Sequence, residues 1–462
     1  MEALLGRLFA FLGRQRLVFY AGIGFGVYRC LHEWPLWFNG AVAHLGTEPL
    51  SDDFFFLTVD AGKVLGLIAY VGACYRWDPQ RRVGFLFALP SIVTALGCTV
   101  PLAFLLGAPL PPAMLAAALA LIGAGAAMLF AQWIELCGLL PPIKVIQIFC
   151  ISFLTRFAAL PLLTDLSAVS SAVTTLLLAS ASFIWIGFCL REIPTASSVP
   201  RTPSSFARTP SRAVLFLFIG IFAFAYGLGA SATLLSHAPH ETGWGTALPS
   251  CAILILSFKL EDRFDWTILY ATTLPLMAAG LMGIEFLGLS PSLAQVLVSA
   301  AYSSFDLIVY TLVCSNAYRN RTSAMLEGSS VRALALIAAD GAILIAQLVF
   351  PAQSGLLVTG AVLTSFALGI MVFLPQMGQR GEGYLVASER KSSLGSQLER
   401  LAAERGLSQR ETTIFLLLVE GKTSAEISEE LFISNGAVRA HNSRIYDKFG
   451  VHTRKDFDAL FS

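Results

Sequence analysis

Charge is scarce in this chain. Only 13% of its 462 residues are Asp, Glu, Lys or Arg, 56% are hydrophobic, and mean hydropathy is +0.70. Water-soluble domains carry about 25% charged residues, so a single soluble fold is excluded. Catalytic and metal-binding patterns are also missing. The eight cysteines (30, 74, 98, 137, 150, 189, 251 and 314) include no Cys-x-x-Cys pair, and the six histidines no His-Glu-x-x-His. Neither a zinc site nor a disulfide framework is indicated. No glycine-rich phosphate loop follows a strand pattern and no nucleophile elbow occurs. The expectation is a non-enzyme with no metal and no cofactor.

What charge there is collects at the end. Residues 376–462 hold 12 Lys and Arg and 12 Asp and Glu in 87 positions, while the first 375 residues hold the other 37. A membrane-embedded body is thereby separated from a water-soluble tail. A helix needs about 20 apolar residues to cross a bilayer. Blocks of that length fall near 17–38, 54–75, 83–107, 112–136, 143–163, 166–190, 213–236, 246–261, 265–288, 292–317, 331–350 and 355–374. The chain is thus predicted to cross twelve times. The first block is too long-flanked, and too closely followed by others, to be a cleaved signal peptide.

Loop charges test that count. Alternate loops carry the basic residues: Arg7, Arg14 and Arg16; Arg76, Arg81 and Arg82; Lys144; the arginines of 191–212; Lys259 and Arg263; Arg319, Arg321 and Arg332; then Arg380, Arg390 and Lys391. The opposite loops offer Glu48, Asp52, Asp53, Asp165, His237, His240 and Glu241 instead. Basic loops stay in the cytosol, which puts both the N- and C-termini there. A polar, Pro/Ser/Thr-rich linker at 191–212 divides the body into halves 1–190 and 213–375, a six-plus-six plan. Loops at Asp78–Arg82 and Glu261–Arg263 loosely resemble the acidic-then-basic loop of major facilitator transporters. That resemblance implies a major-facilitator-like fold.

Charges within spans are costly to insert and point to ligand sites. Arg156, Asp306 and Asp340 are the ligand-binding candidates, with simple structural pairing equally open. Asp60, Lys63 and Arg29 read as interhelical pairs or snorkelling groups. Trp34, Trp37, Trp185, Trp244 and Trp266 fall at predicted span ends, as an aromatic belt does.

The tail carries the sharpest signal. Residues 408–461 read as four short helices: Ser408/Glu411 and Thr423/Glu426 form capping boxes, Ser434 caps a third helix, and Thr453 with Asp456 opens a fourth. Gly421 and Gly450 punctuate two ends. On a helical wheel of 435–449, Val438, Ile445 and Phe449 share the core face. The opposite face shows Gly436, Arg439, Ala440, Ser443, Arg444 and Asp447, small residues flanked by arginines that can reach guanine or phosphate. A solvated charged face explains the arginines but not the short helix–turn–helix spacing between 424–431 and 435–449.

The run Leu407-Ser-Gln-Arg-Glu411 … Glu420-Gly421 … Glu426-Ile427 … Leu431-Phe-Ile-Ser434 … Val438-Arg439-Ala-His441 … Ile445-Tyr-Asp-Lys448-Phe-Gly450-Val451-His-Thr-Arg454 strongly resembles the LuxR-type (NarL-like) DNA-binding domain. It departs at Gln409, where that family commonly has Pro, and at Asn435-Gly436-Ala437, which lacks a hydroxyl at 437. The resemblance implies that Arg439, Ala440 and Ser443 read bases and that Arg444, Lys448 and Arg454 contact phosphates. Ser434 and Asn435 then open the recognition helix on the DNA side. It also implies dimerisation through the closing helix by Phe457 and Leu460, which are equally explicable as core.

The expected fold is all-α: a polytopic bundle of about twelve membrane helices over 1–375, a linker or coupling helix over 376–405, and a four-helix helix-turn-helix domain over 406–462. Leu394, Leu398 and Leu401 give the linker an apolar stripe, suited to coupling or to packing on the DNA-binding unit. A membrane body with such a tail resembles bacterial membrane-bound one-component regulators. That resemblance implies residence in the cytoplasmic (inner) membrane, an unknown small-molecule ligand, and a homodimer on double-stranded promoter DNA working with RNA polymerase. A secondary transporter with a regulatory DNA-binding tail is the alternative. A phosphorylated response regulator lacks its receiver domain here.

Overall fold

The structure, a computed structural model, describes residues 15–33, 52–76, 85–108, 111–163, 166–193, 210–232, 239–260, 276–280, 288–320, 322–349, 401–419, 435–451, 453–461 and isolated positions between them. Most of the predicted span at 265–288 and nearly all of that at 355–374 lie outside these residues. So do Trp34, Trp37, Trp266, Leu394, Gly421, Glu426, Ser434, the side chains of Asn435 and Lys455, and the loops at 78–82 and 261–263. The described residues contain helices and no strand.

Two compact units divide the chain, Met1–Leu374 and Pro375–Ser462. The first contains α1 (Arg16–Glu33), α2 (Asp52–Arg76), α3 (Phe85–Leu105), α4 (Pro112–Cys137) and α5 (Pro142–Leu163). It continues with α6 (Ala168–Glu192), α7 (Pro210–Ala232), α8 (Pro239–Leu260), α9 (Pro291–Asn320) and α10 (Ala324–Val349). Five of these begin on a proline, whose missing N–H costs nothing in a first turn. At α6 the Ser167 hydroxyl instead accepts the N–H of Ser170. Seven helices among the described residues are long and apolar enough to cross a membrane. Their outward faces expose Leu65, Ile68, Leu177, Ile184 and Leu348, side chains suited to lipid.

Within the first half, α2 and α3 pack on α4, and α1 packs on α5 and α6; in the second, α7 packs on α10 and α8 on α9. Close approach of α2 and α4 needs small residues, because lipid supplies no hydrophobic drive between helices. A methyl group at Gly123 would strike the backbone carbonyl of Val59, whereas one at Gly341 would meet open space. The same chemical change should therefore have opposite outcomes. Gly123→Ala is expected to broaden the size-exclusion profile of the detergent-solubilised protein and lower its melting temperature. Gly341→Ala should leave both unchanged or slightly raise stability, by about 0.5–1 kcal/mol for helical glycine.

Buried polar groups are tied across helices. Pro90 sits inside α3 and cannot donate to the carbonyl of Leu86; the Tyr70 hydroxyl of α2 donates to it at 3.1 Å. Gln132 of α4 completes the knot, donating to Tyr70 Oη at 2.8 Å and to the Phe87 carbonyl at 2.9 Å. Trp133, fully buried, donates to Ser182 at 2.9 Å. The side chain of Trp185 lies against Gly24 of α1, packed into the body instead of standing in an interfacial belt.

The two halves meet where α8 and α9 pack on α5 and where α10 packs on α2 and α4. Glu135, in the last turn of α4, accepts the Ser323 hydroxyl at 2.8 Å and the Met325 N–H at 2.9 Å. A carboxylate of one half thus caps the N-terminus of a helix in the other, where the helix dipole favours negative charge.

Candidate nucleic-acid interface

The C-terminal unit is built from α11 (Gln409–Val419), α12 (Asn435–Phe449) and α13 (Arg454–Phe461), with helical residues also at 398, 401–404, 424 and 427–428. Caps set the ends. Glu411 N–H donates to Ser408 Oγ at 3.3 Å while Ser408 N–H donates to Glu411 Oε2 at 3.0 Å, a reciprocal capping box. Asp456 N–H donates to Thr453 Oγ1 at 3.1 Å. After α12 the chain turns through Gly450 at φ +71°, with Gly450 N–H on Asp447 and Val451 N–H on Tyr446. That left-handed turn suits glycine and closes a Schellman motif.

One core holds the unit: Leu398, Ala402, Ile414, Phe415, Leu418, Ile427, Val438, Ile445, Phe449 and Phe457. Phe415 stacks on Phe449 at 5.0 Å, and Phe457 meets Phe449 edge-on at 5.7 Å. Leu398 and Ala402 therefore pack into the core of the C-terminal unit. Phe457 is spent in that core; of the two dimerisation candidates, Leu460 faces outward.

On α12 the buried face is Val438, Ile445 and Phe449, joined by Asn442. The Asn442 amide donates to Ser424 Oγ at 3.3 Å, fastening α12 to the helical segment before it. A polar residue at a buried helix position had no apolar signal to betray it. The opposite face exposes Gly436, Arg439, Ala440, Ser443, Arg444, Asp447 and Lys448.

The basic residues of α12 fall into two groups. Arg444 Nε lies 3.2 Å from Glu411 Oε1 and its guanidinium 2.9 Å from His441 Nδ1. Lys448 donates at 2.8 Å both to Glu411 Oε2 and to the Gly406 carbonyl, using two of its three protons inside the unit. Arg454 donates to the Leu418 carbonyl at 2.7 Å, at the end of α11. Arg439, Ala440 and Ser443 stand on the exposed face nearer the start of α12. Lys448 and the Ser408 N–H hold the shielded Glu411 carboxyl down at about 2.

The family model "Bacterial regulatory proteins, luxR family" matches residues 405–457. Residues 405–457 are a LuxR-type helix-turn-helix domain. This LuxR-type domain is 49% identical over 47 residues to the Fimbriae Z protein of Escherichia coli (strain K12), covering 10% of this chain and 22% of that protein. Against the spore germination protein GerE of Bacillus subtilis (strain 168), identity is 50% over 48 residues, 10% of this chain and 65% of that one. The chain thus spans about a fifth of the first relative and under two thirds of the second.

The first unit has transporter-like neighbours. The human organic anion transporter MFSD10 (TETRAN) superposes with a TM-score of 0.52 at 14% identity, over 77% of this chain and 98% of that one. A bacterial homologue of the iron transporter ferroportin, in its outward-facing state, gives 0.54 at 16%, over 78% and 98%. What they share with the body is the fold.

Inside the body the charged side chains gather in two places. Asp306 of α9 lies 3.9 Å from Arg29 of α1 and 4.0 Å from Arg332 of α10. Arg332 therefore does not belong with the loop arginines: it stands inside α10 and its side chain is 13% exposed. Hydropathy could not see this, because one arginine at a span's edge looks like a flank. Asp60 and Lys63 pair at 2.6 Å on one helix and not between helices, and Asp340 of α10 lies near them. Arg156 is buried on α5. The structure thus joins Asp306 to Arg29 and Arg332, and Asp340 to Asp60 and Lys63.

Proposed function

We propose that the chain is a membrane-anchored one-component transcriptional regulator. Its body crosses the cytoplasmic membrane twelve times in two six-helix halves, with both termini cytosolic, and senses a small molecule. Its tail binds promoter DNA as a homodimer and acts on RNA polymerase. The observation that carries this reading is a LuxR-type domain with an exposed Arg439–Ala440–Ser443 face on the same chain as seven membrane-capable helices. Neither activity requires a cofactor, and no catalytic role is assigned.

The charged seam supports sensing. Arg29, Asp60 and Lys63 belong to the first half, and Asp306, Arg332 and Asp340 to the second, so their contacts join surfaces that move if the halves move. A ligand with different affinity for two arrangements shifts their populations and hence the tail. Asp340→Asn is expected to change the response of a promoter reporter to inducing metabolites, with unchanged membrane abundance and unchanged DNA binding by the tail. A wild-type response would return Asp340 to a structural role. The transporter-like fold keeps the alternative, a secondary transporter with a regulatory tail, in view. Accumulation of solute in proteoliposomes that survives deletion of residues 390–462 would favour it.

A further inference from the structure

Resting on the DNA-binding role of the tail, we propose that His441 is a positioning residue of the nucleic-acid interface, which with Glu411 holds the Arg444 guanidinium ready for a backbone phosphate. Arg444 is braced from two elements. Its Nε stands 3.2 Å from Glu411 Oε1 of α11, and its Nη2 lies 2.9 Å from Nδ1 of His441, three residues earlier on α12. Arginine only donates, so Nδ1 accepts, and the imidazole is neutral with its proton on Nε2. The Nη1 end of the fork has no partner among the described residues.

Charge and exposure set Arg444 apart from Lys448. One carboxylate cannot neutralise two cations. Lys448 holds Glu411 at 2.8 Å and donates also to the Gly406 carbonyl, so the surplus positive charge falls to Arg444. The Arg444 side chain is 54% exposed, against 35% for Lys448. Glu411 is itself buried and fixed by the Ser408 N–H, so the brace starts from a firm point. Tied back towards α11, the guanidinium stands beside the Arg439–Ala440–Ser443 face. A helix seated in the major groove has phosphate strands along its flanks, and an arginine fork suits their oxygens. A braced fork has already given up the rotamer freedom that a loose arginine loses on binding. Neither His441 nor Glu411 has to touch DNA for this.

The test titrates full-length protein in detergent with a short mixed-sequence duplex, read by fluorescence anisotropy over a range of salt. Arg444→Gln should weaken binding about tenfold and lower the salt slope by about one. His441→Phe, which keeps a ring but no acceptor, should weaken it about fivefold, the cost of ordering one long side chain at an interface. His441→Asn should restore most of the affinity, because its side-chain oxygen can stand where Nδ1 stood. With Arg444→Gln already present, His441→Phe should cost nothing further, since the two act through one contact. A purely structural histidine would instead cost the same in both backgrounds. A neutral His441→Phe, an effect additive with Arg444→Gln, or no rescue by His441→Asn would overturn the proposal and leave DNA binding standing. Wild-type protein that binds no duplex even at low salt would overturn the DNA-binding reading, and the proposal with it.

Discussion

Replacing Arg439 with Ala is expected to lower specific promoter affinity by about 1–3 kcal/mol and to flatten the preference between promoter and scrambled duplex. Arg439 stands on the exposed face of α12 beside Ala440 and Ser443, whose small side chains let the helix approach base edges closely. Arg444 and Lys448 both pair with Glu411, at 3.2 and 2.8 Å. Fluorescence anisotropy with both duplexes reads the difference. Arg439→Lys sharpens it: a point charge preserves attraction to phosphate but not a bidentate contact with guanine. Equal losses on both duplexes would make Arg439 a phosphate contact, and no loss would move the reading face elsewhere.

Glu411 is expected to be the most consequential polar residue for stability of the tail. It closes the capping box of α11 and receives Arg444 and Lys448 from α12, so one carboxylate fixes a helix end and the seating of the recognition helix. Glu411→Ala should cost about 3 kcal/mol, combining a lost cap with lost charge-assisted bonds. Glu411→Gln keeps the reach of a capping box and should cost roughly half as much. The carboxyl is held down at about 2 in the folded unit, mainly by Lys448. Its contribution is therefore full above the unfolded value of about 4.3 and is lost as pH falls through the folded value. Urea unfolding of residues 390–462 followed by circular dichroism should show stability dropping from pH 5 towards pH 2 in the wild type. In Glu411→Gln that slope should be shallower.

Much of this was legible in the sequence, for reasons that also explain what was not. Helices such as α4 and α6 announce themselves because a membrane span depends on local hydropathy, and local composition is what a window reads. Ser408 with Glu411 and Thr453 with Asp456 were readable because a capping box is a three-residue device. Val438, Ile445 and Phe449 followed from helical period alone. The rest depends on partners far apart in the chain. Glu411 meets Lys448 across 37 positions, and Glu135 meets Met325 across 190. Nothing local marks Glu135, and the capping box that marks Glu411 says nothing of Lys448. Arg29 and Arg332 looked like a snorkelling group and a loop residue because the carboxylate between them belongs to a third helix. Asn442 was invisible because its reason for burial is a hydrogen bond to Ser424, not apolar area.

On the proposed reading, a protein held in the membrane reads promoter DNA. Crosslinking intact cells, immunoprecipitating the full-length chain from the membrane fraction and sequencing the attached DNA tests it directly. The prediction is recovery of a few discrete promoters that disappears in Arg439→Ala at equal membrane abundance. Recovery of no promoter above background from the wild-type membrane fraction, or recovery indifferent to Arg439→Ala, would contradict it.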